Sequence, residues 1–195
     1  MNISSVLHSR QAIAFREYAT KPSTWKTLSL TELRAEKPED IDAIRKVTIA
    51  AFDGAEHSSG TEAAIVDTLR NAGALTVSLV AMENDQIVGH VAFSPVAIES
   101  GAEKWYGLGP VSVRPDRQGH GIGKALIETG LARLKEHGAN GCVVLGDPRY
   151  YARFGFTSDP ALRYADVPAE YFQRIVFEGA APTGAVAYHA GFDAA

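Results

Sequence analysis

The 195-residue chain carries 19 lysines and arginines against 23 aspartates and glutamates, which gives a net charge of −4. With a pI of about 5.9, it has no overall positive charge to attract nucleic acid or an anionic membrane, so neither is expected as a partner. No stretch of the sequence approaches the roughly 18 consecutive apolar residues that a membrane span needs. The single cysteine, Cys142, excludes an internal disulfide and predicts a reducing, cytoplasmic setting.

The first thirty residues differ in composition from the rest of the chain. They hold four basic residues against one acid, Glu17, and their apolar spacing is irregular. A targeting peptide would be rich in arginine and poor in acids. We favour a loosely attached extension, because neither a hydrophobic segment nor a cleavage pattern stands out. We therefore predict an extension over residues 1–29 and one domain over residues 30–195.

The remaining elements predict helices flanking one sheet. A strand in LSLTELRAE is followed by helices in PEDIDAIRKVTIAAF and EAAIVDTLRNAG, whose apolar residues recur at helical spacing. TVSLVAMENDQIVGHVAFSPVAI predicts a strand pair around Asn84-Asp85, and YGLGPVSV predicts another strand. A glycine-rich stretch, a long helix up to Gly138, the strand CVVL, a short helix and two further strands follow. This order predicts a mixed α/β (α+β) domain.

Three glycines alternate at Gly119, Gly121 and Gly123, between a predicted strand and the long helix. Glycine at this density costs conformational entropy, so we expect the backbone there to approach something that side chains would obstruct. Successive N–H groups of such a turn converge on an anion, and the helix dipole adds to the same field. A P-loop is excluded, because Gln118 replaces its first glycine and Ala125 its magnesium-binding hydroxyl. The dinucleotide fingerprint fails as well, because its third glycine is absent.

The spacing that fits is Q-x-x-G-x-G, filled by Gln118, Gly121 and Gly123 and preceded by VSVRPDR. Together with the later run LGDPRYYARFGF, it resembles the GNAT superfamily of acetyl-CoA-dependent N-acetyltransferases, closest to a branch of bacterial members labelled YhbS-like. The resemblance covers roughly residues 30 to 192. It implies one GNAT-type domain with a central, mostly antiparallel mixed sheet, acetyl-CoA as co-substrate, and acetyl transfer to a primary amine by direct attack.

The resemblance also implies which residues bind coenzyme A. The loop that wraps the pyrophosphate consists of Arg117, Gln118, Gly119, His120, Gly121, Ile122, Gly123 and Lys124. The preceding strand would splay from its neighbour and pair with the pantetheine arm through Val111 and Val113, with Ser112 between them adding a hydroxyl contact. Arginine suits phosphate oxygens, but Arg114 and Arg117 are as readily explained as solvated side chains. No metal site is expected.

The family's tyrosine acid corresponds to Tyr151, in the pattern Y-x-x-x-G-F. A neutral tyrosine of pKa about 10 can protonate a departing thiolate of pKa about 8.5. Tyr150 is the alternative, because a shift of one residue in a short helix is easily misjudged. Many family members carry a glutamate base on the strand before the loop, and none occurs here between Trp105 and Val113. Unless the amine arrives neutral, the candidate bases are Glu56, His57, Glu62, His90 and Glu103.

The missing glutamate favours one alternative function, a non-catalytic acyl-CoA-binding sensor or interaction module on the same fold. A different acyl donor, or transfer to a protein N-terminus or lysine, is a third interpretation. The acids near the presumed site favour a cationic amine without naming it. The sequence leaves a homodimer open. Gly146-Asp147 stands where many family members have an asparagine that contacts the cofactor, so that contact is in doubt.

Overall fold

The computed structural model describes residues 31–55 and 60–193, and every structural statement below concerns those residues. The predicted extension over residues 1–29 lies outside them, and so do the candidate bases Glu56 and His57. The helices are α1 (Ile41–Phe52), α2 (Glu62–Asn71), α3 (Ile122–Glu136) and α4 (Pro148–Tyr151). None of these helices combines the length and hydropathy of a membrane span.

The strands are β1 (Glu32–Ala35), β2 (Val77–Glu83), β3 (Gln86–Ile98), β4 (Trp105–Val113), β5 (Gly141–Leu145), β6 (Thr157–Ser158), β7 (Leu162–Arg163), β8 (Phe172–Val176) and β9 (Gly184–Tyr188). They form one sheet in the order β1-β2-β3-β4-β5-β8-β6, while β9 pairs with β3 and β7. Along that order only β4 and β5 are parallel. The predicted mixed, mostly antiparallel sheet is confirmed.

Helices cover both faces of the sheet. The apolar stripe of α3, which includes Leu126, Ile127 and Leu134, packs on one face against strand residues such as Phe93. Gly130 makes this close contact feasible, because a Cβ at that position would overlap the Phe93 ring. On the opposite face, α1 and α2 form a separate cluster with β2. The sheet is therefore packed between helices on both faces, and this packing fixes the position of its edges.

The hairpin between β2 and β3 turns at Asn84 and Asp85. Both residues have positive φ, 49° and 60°. Two consecutive left-handed residues are the mark of a type I′ turn, whose twist suits a two-residue hairpin. The predicted strand pair is correct, and its turn type is now assigned.

Strand β4 leaves its parallel neighbour halfway along. It pairs with β5 only from Trp105 to Gly107, whereas its pairing with β3 continues to Val113. An irregularity opposite Ala92 inserts one extra residue into β4. As a result, the second half of β4 presents an unpaired edge beside a wedge between β4 and β5.

Candidate active site

The glycine loop connects β4 to α3 at the mouth of this wedge. Gly119 and Gly121 have φ of 77° and 85°, a conformation that side chains other than glycine rarely adopt. Gly121 precedes the first residue of α3 as its N-cap. Gln118 ties the loop back to the strand, because its Nε2 donates a 3.1 Å hydrogen bond to the carbonyl of Val113. The two positive φ values bend the chain so that its backbone lines the wedge.

Six successive N–H groups, from residue 119 to residue 124, make no backbone hydrogen bond in the described part of the chain. The first helical bond runs from the N–H of Ala125 to the carbonyl of Gly121. The N-terminal N–H groups of a helix carry a partial positive charge, which favours an anion. The loop therefore has the donors that an anionic ligand requires.

A cleft of about 550 Å³ lies in front of this loop. Val111 and Val113 line it from β4, Tyr150 and Tyr151 from α4, and Phe52 from the end of α1. Its charged lining residues are Arg117, Lys124 and Arg153, and no carboxylate of the described residues lines it. The cleft is thus positive at the loop and largely apolar along the strand.

Two side chains of the predicted cofactor site point away from the cleft. Ser112 is buried between the sheet and α1, with its Oγ 3.1 Å from Thr48 Oγ1, so the expected hydroxyl contact with a ligand in the cleft is wrong. The reason is the alternation along a strand, which sends Ser112 to the face opposite Val111 and Val113. The exposed His120 ring lies 2.8 Å from the carbonyl of Gln118 and does not line the cleft.

The two candidate phosphate arginines are engaged with acids. Arg114 donates to Asp116 at 2.6 Å and is absent from the cleft lining. Arg117 lies 3.1 Å from Glu83 Oε2 at the end of β2, although its side chain also borders the cleft. Of the two, only Arg117 is placed to contact a ligand.

The two tyrosines of α4 have different surroundings. Tyr151 packs edge-on against Phe156 and lies over Gly146, and burial raises its pKa above the ordinary value. The Tyr150 hydroxyl points instead toward Gly123, 3.5 Å from where a Cβ would lie. Tyr151 therefore packs at the end of β5, beside the wedge between β4 and β5, whereas the Tyr150 hydroxyl lies beside the glycine loop.

Gly146 and Asp147, where the resemblance implied an asparagine, have structural roles. A Cβ at Gly146 would overlap the Tyr151 ring. Asp147 caps α4 by accepting a 2.9 Å hydrogen bond from the N–H of Arg149. This pair therefore sets the position of Tyr151.

The candidate bases fall in different places. Glu103 lies two residues before β4 and does not line the cleft, and the strand from Trp105 to Val111 alone spans about 20 Å, so its carboxylate is remote from the proposed site. His90 is fully buried in β3. Glu62, at the start of α2, lines a second cavity of about 410 Å³. That cavity adjoins the cleft, because Phe52 and Ala55 line both.

Some site residues were not predicted from the sequence. Phe52 ends α1 between the two cavities, and Arg153 stacks on the Tyr150 ring at 4.5 Å while lining the cleft. A basic residue beside the tyrosine motif was the available signal for Arg153.

Cys142 is completely buried in β5, and burial raises the pKa of its thiol well above the ordinary value. Within the described ranges, no group of three or more histidine, cysteine or acidic residues could hold a metal ion.

Comparison with known proteins defines the class. The Acetyltransferase (GNAT) family model matches residues 41–156. A GNAT family acetyltransferase from Brucella melitensis, crystallised with acetyl-CoA, is 52% identical and superposes with a TM-score of 0.76 over 85% of this chain and 99% of that one. The chain belongs to the GNAT acetyltransferase family.

Two Escherichia coli proteins are further relatives. The GNAT family N-acetyltransferase YhbS, crystallised with CoA, is 34% identical with a TM-score of 0.78 over 85% of this chain and 93% of that one. In sequence alone, the uncharacterized N-acetyltransferase YhbS of strain K12 is 38% identical over 125 residues, 64% of this chain and 72% of that one. The uncharacterized N-acetyltransferase YjhQ is 31% identical over 134 residues, 68% and 71% of the two chains. The predicted resemblance to YhbS-like members is confirmed.

Proposed function

We propose that this protein is an N-acetyltransferase that moves the acetyl group of acetyl-CoA to a primary amine by direct attack, on one domain spanning residues 30–195. The proposal rests on the N–H groups of residues 119–124, which make no backbone hydrogen bond among the described residues and lie beside the edge of β4 that β5 leaves unpaired. The complexes of the Brucella protein with acetyl-CoA and of YhbS with CoA support the choice of co-substrate.

The residues present fit acetyl-CoA. The N–H groups of residues 119–124, with Lys124 and Arg153 at the rim, would hold the pyrophosphate. The unpaired backbone of Val111 and Val113 would pair with the pantetheine arm like an added strand. When bound, acetyl-CoA supplies a thioester carbonyl for the amine and a thiolate as leaving group.

Tyr151 serves in this proposal as the general acid. Its hydroxyl is protonated at neutral pH, as that of an ordinary tyrosine is, so it can hydrogen-bond the departing thiolate and donate to it; burial raises its pKa further. Tyr150 lies closer to the glycine loop and would contact the phosphate end instead. Asp147 and Gly146 fix α4 and thus the position of the acid.

The amine would approach through the second cavity, beside Phe52. Asp53 and Glu62 contribute carboxylates to its lining, and no described cation lines it. A negative entrance favours an acceptor that arrives as an ammonium ion. The cytoplasmic location and a homodimer stay predictions from the sequence.

The decisive experiment has two stages. The full-length protein is unfolded thermally with acetyl-CoA, CoA, ATP or NAD. At about a hundredfold excess over Kd, a specific ligand adds about 2.7 kcal/mol, and we expect this for acetyl-CoA and CoA only. Release of CoA is then followed with spermidine, a lysine-containing peptide and an arylalkylamine. Turnover of any amine supports the enzyme, whereas stabilisation without turnover favours the acyl-CoA sensor, and no stabilisation contradicts both.

A further inference from the structure

A line of polar side chains crosses the sheet beneath α1 and α2, where the surroundings are otherwise apolar. It runs from Thr48 on α1 to Ser112 on β4, His90 on β3, Ser78 on β2 and Glu36 after β1. Thr48, Ser112 and His90 are at most 1% exposed. An apolar cluster of Ile44, Val66 and Val80 lies between α1, α2 and the sheet, and Val80 is the register partner of His90. Polar groups in such a place are costly unless they are hydrogen-bonded.

The contacts along this line determine the tautomer of His90. Ser78 Oγ donates its single hydrogen to the Glu36 carboxylate. Ser78 Oγ also lies 2.8 Å from His90 Nε2, and it can only accept there. His90 must therefore carry its hydrogen on Nε2, which leaves the lone pair on Nδ1.

His90 Nδ1 is buried and has no hydrogen-bond partner among the described residues. His90 and Ser112 are register partners on neighbouring strands, so their Cβ atoms lie about 5 Å apart on the same face of the sheet. Ser112 Oγ in turn lies 3.1 Å from Thr48 Oγ1. Among the described residues, the one hydrogen bond missing along this line is that between Ser112 and His90. Hydrogen bonds between catalytic groups are often long before substrate binds and shorten in the complex.

The other end of the line lies next to the proposed site. Thr48 is one helical turn before Ala51 and Phe52, which line the cleft. Phe52 also lines the cavity proposed for the amine. Ser112 lies between Val111 and Val113, the strand residues that border the cleft. The hydroxyl pair lines neither cavity, but each of its residues is adjacent in its own element to residues that do.

We propose that Thr48, Ser112 and His90 form a proton relay, in which His90 stores the proton that the amine loses. The inference rests on the proposed function. The amine nitrogen keeps the electron pair of its N–H bond, and the proton passes through water to Thr48, which is itself buried. Thr48 hands its own proton to Ser112, and Ser112 protonates His90 Nδ1. Each hydroxyl gains and loses one proton, and the resulting imidazolium is stabilised by Glu36 through Ser78.

The surroundings of His90 determine its pKa and therefore its protonation state at neutral pH. Burial lowers its pKa and Glu36 raises it, while Arg70 on α2 lowers it further. The facing side chains from β2, β4 and α1 are the uncharged Ser78, Ser112 and Thr48. His90 is therefore neutral at pH 7, and activity should fall on the acid side as His90 becomes protonated before the amine arrives.

The tautomer is tested without any activity. The full-length protein is labelled with ¹⁵N-histidine, and the His90 signals are assigned from those that change in Ser78→Ala. We expect hydrogen on Nε2 and a bare Nδ1 at neutral pH. A hydrogen on Nδ1 would overturn the relay, because that nitrogen would then have no lone pair to accept a proton.

The kinetic test uses the amine turned over fastest in the screen above. His90→Gln should lower kcat/KM about 10²-fold and remove the acid limb of the pH profile, and Ser112→Ala should act on the same step, so that the double variant is no worse than the worse single one. Ser94→Ala is the matched control, since its buried hydroxyl also lies on β3 but outside the line. It should keep the wild-type rate.

The outcomes separate the two proposals. If the wild type turns over no amine, the proposed function fails, and the relay fails with it. If the wild type is active and His90→Gln keeps its rate and acid limb, only the relay fails. If His90→Gln does not fold, Ser112→Ala is the test. A wild-type rate in that variant would mean that no proton reaches His90 through Ser112, and the relay would be wrong.

Discussion

Tyr150 and Tyr151 are neighbours in the chain, yet their side chains pack against different parts of the site. The sequence pattern Y-x-x-x-G-F assigned the acid to Tyr151, with Tyr150 as alternative. The contacts of the two rings support that assignment, because Tyr151 lies over Gly146 at the end of β5 and Tyr150 points at Gly123. The sequence could not separate them, since the difference depends on how α4 packs.

We predict that Tyr151→Phe lowers kcat about 10²-fold and leaves acetyl-CoA affinity nearly unchanged. The ring keeps its packing against Phe156, and only the donated proton is lost. Because burial raises the pKa of Tyr151, wild-type kcat should show no alkaline fall caused by this group below about pH 10. Steady-state rates across the pH range and calorimetric binding of acetyl-CoA check both statements.

Tyr150→Phe is the matched control for that prediction. Its hydroxyl lies beside the glycine loop, so the variant should weaken acetyl-CoA binding more than it slows chemistry. The reverse pattern, with Tyr150→Phe losing kcat and Tyr151→Phe keeping it, would exchange the roles of the two residues.

At the scale of elements, the loop and α3 form one unit. Gly123 is within α3 and has no positive φ, and a Cβ there would meet only ordinary contacts with Tyr150 and Val113. A larger side chain at this position therefore extends into the cleft without straining the backbone. This differs from Gly121, whose φ of 85° would strain any substitution.

Gly123→Glu should abolish the thermal stabilisation by acetyl-CoA and preserve the fold, because it adds bulk and negative charge where the phosphates are proposed to bind. The measurement is unfolding with and without acetyl-CoA. Ala132→Glu adds the same side chain to the exposed face of α3 and should keep the wild-type response. Unaltered stabilisation of Gly123→Glu would place the ligand elsewhere.

Most elements were predictable because their signals are local. The hydrophobic spacing of α1, α2 and α3 and the Asn84-Asp85 turn identified helices and a hairpin. The strand β8 was missed, because its five residues FQRIV show no apolar/polar alternation. Its place between β5 and β6 depends on long-range pairing.

The extra residue in β4 determines which face of the sheet the side chains of residues 111–113 occupy. It leaves Leu108 and Val111, three residues apart, packed on the same side of the sheet. Simple alternation counted from the start of the strand would therefore give the wrong face for Val111 to Val113. The orientation of Ser112 could not be derived without the register against β3.

Across the whole molecule, one cluster of charges connects distant parts of the chain. Glu36 after β1 accepts hydrogen bonds from Arg70 on α2, at 2.7 Å, and from Ser78 on β2. Burial raises the pKa of Glu36, but the neighbouring His90 and the hydrogen bonds from Arg70 and Ser78 outweigh it and hold that pKa well below its ordinary value of 4.5. These hydrogen bonds thus connect α2 to β2 and to the residue that follows β1.

Glu36→Gln should destabilise the protein by about 2 kcal/mol at pH 7. A carboxyl whose pKa is depressed by folding stabilises the native state above its unfolded pKa, and that contribution is lost as the pH falls. The difference between wild type and variant should therefore shrink below about pH 4.5. Urea unfolding at several pH values measures it.

The control for this prediction is Glu39→Gln. Glu39 is 67% exposed, against 16% for Glu36, and its distance to Lys37 is 3.9 Å. Exposed pairs of this kind contribute little, so the variant should unfold like the wild type at every pH. Equal losses in both variants would mean that the Glu36 cluster has no special part in stability.

The burial of Cys142 has a practical consequence for measuring the reaction. Its thiol is 0% exposed and its pKa is raised, and the chain has only this one cysteine. A colorimetric thiol reagent therefore finds nothing to react with on the folded protein. The colour that develops during turnover would come from released coenzyme A alone, and denaturation would then reveal one further equivalent per chain.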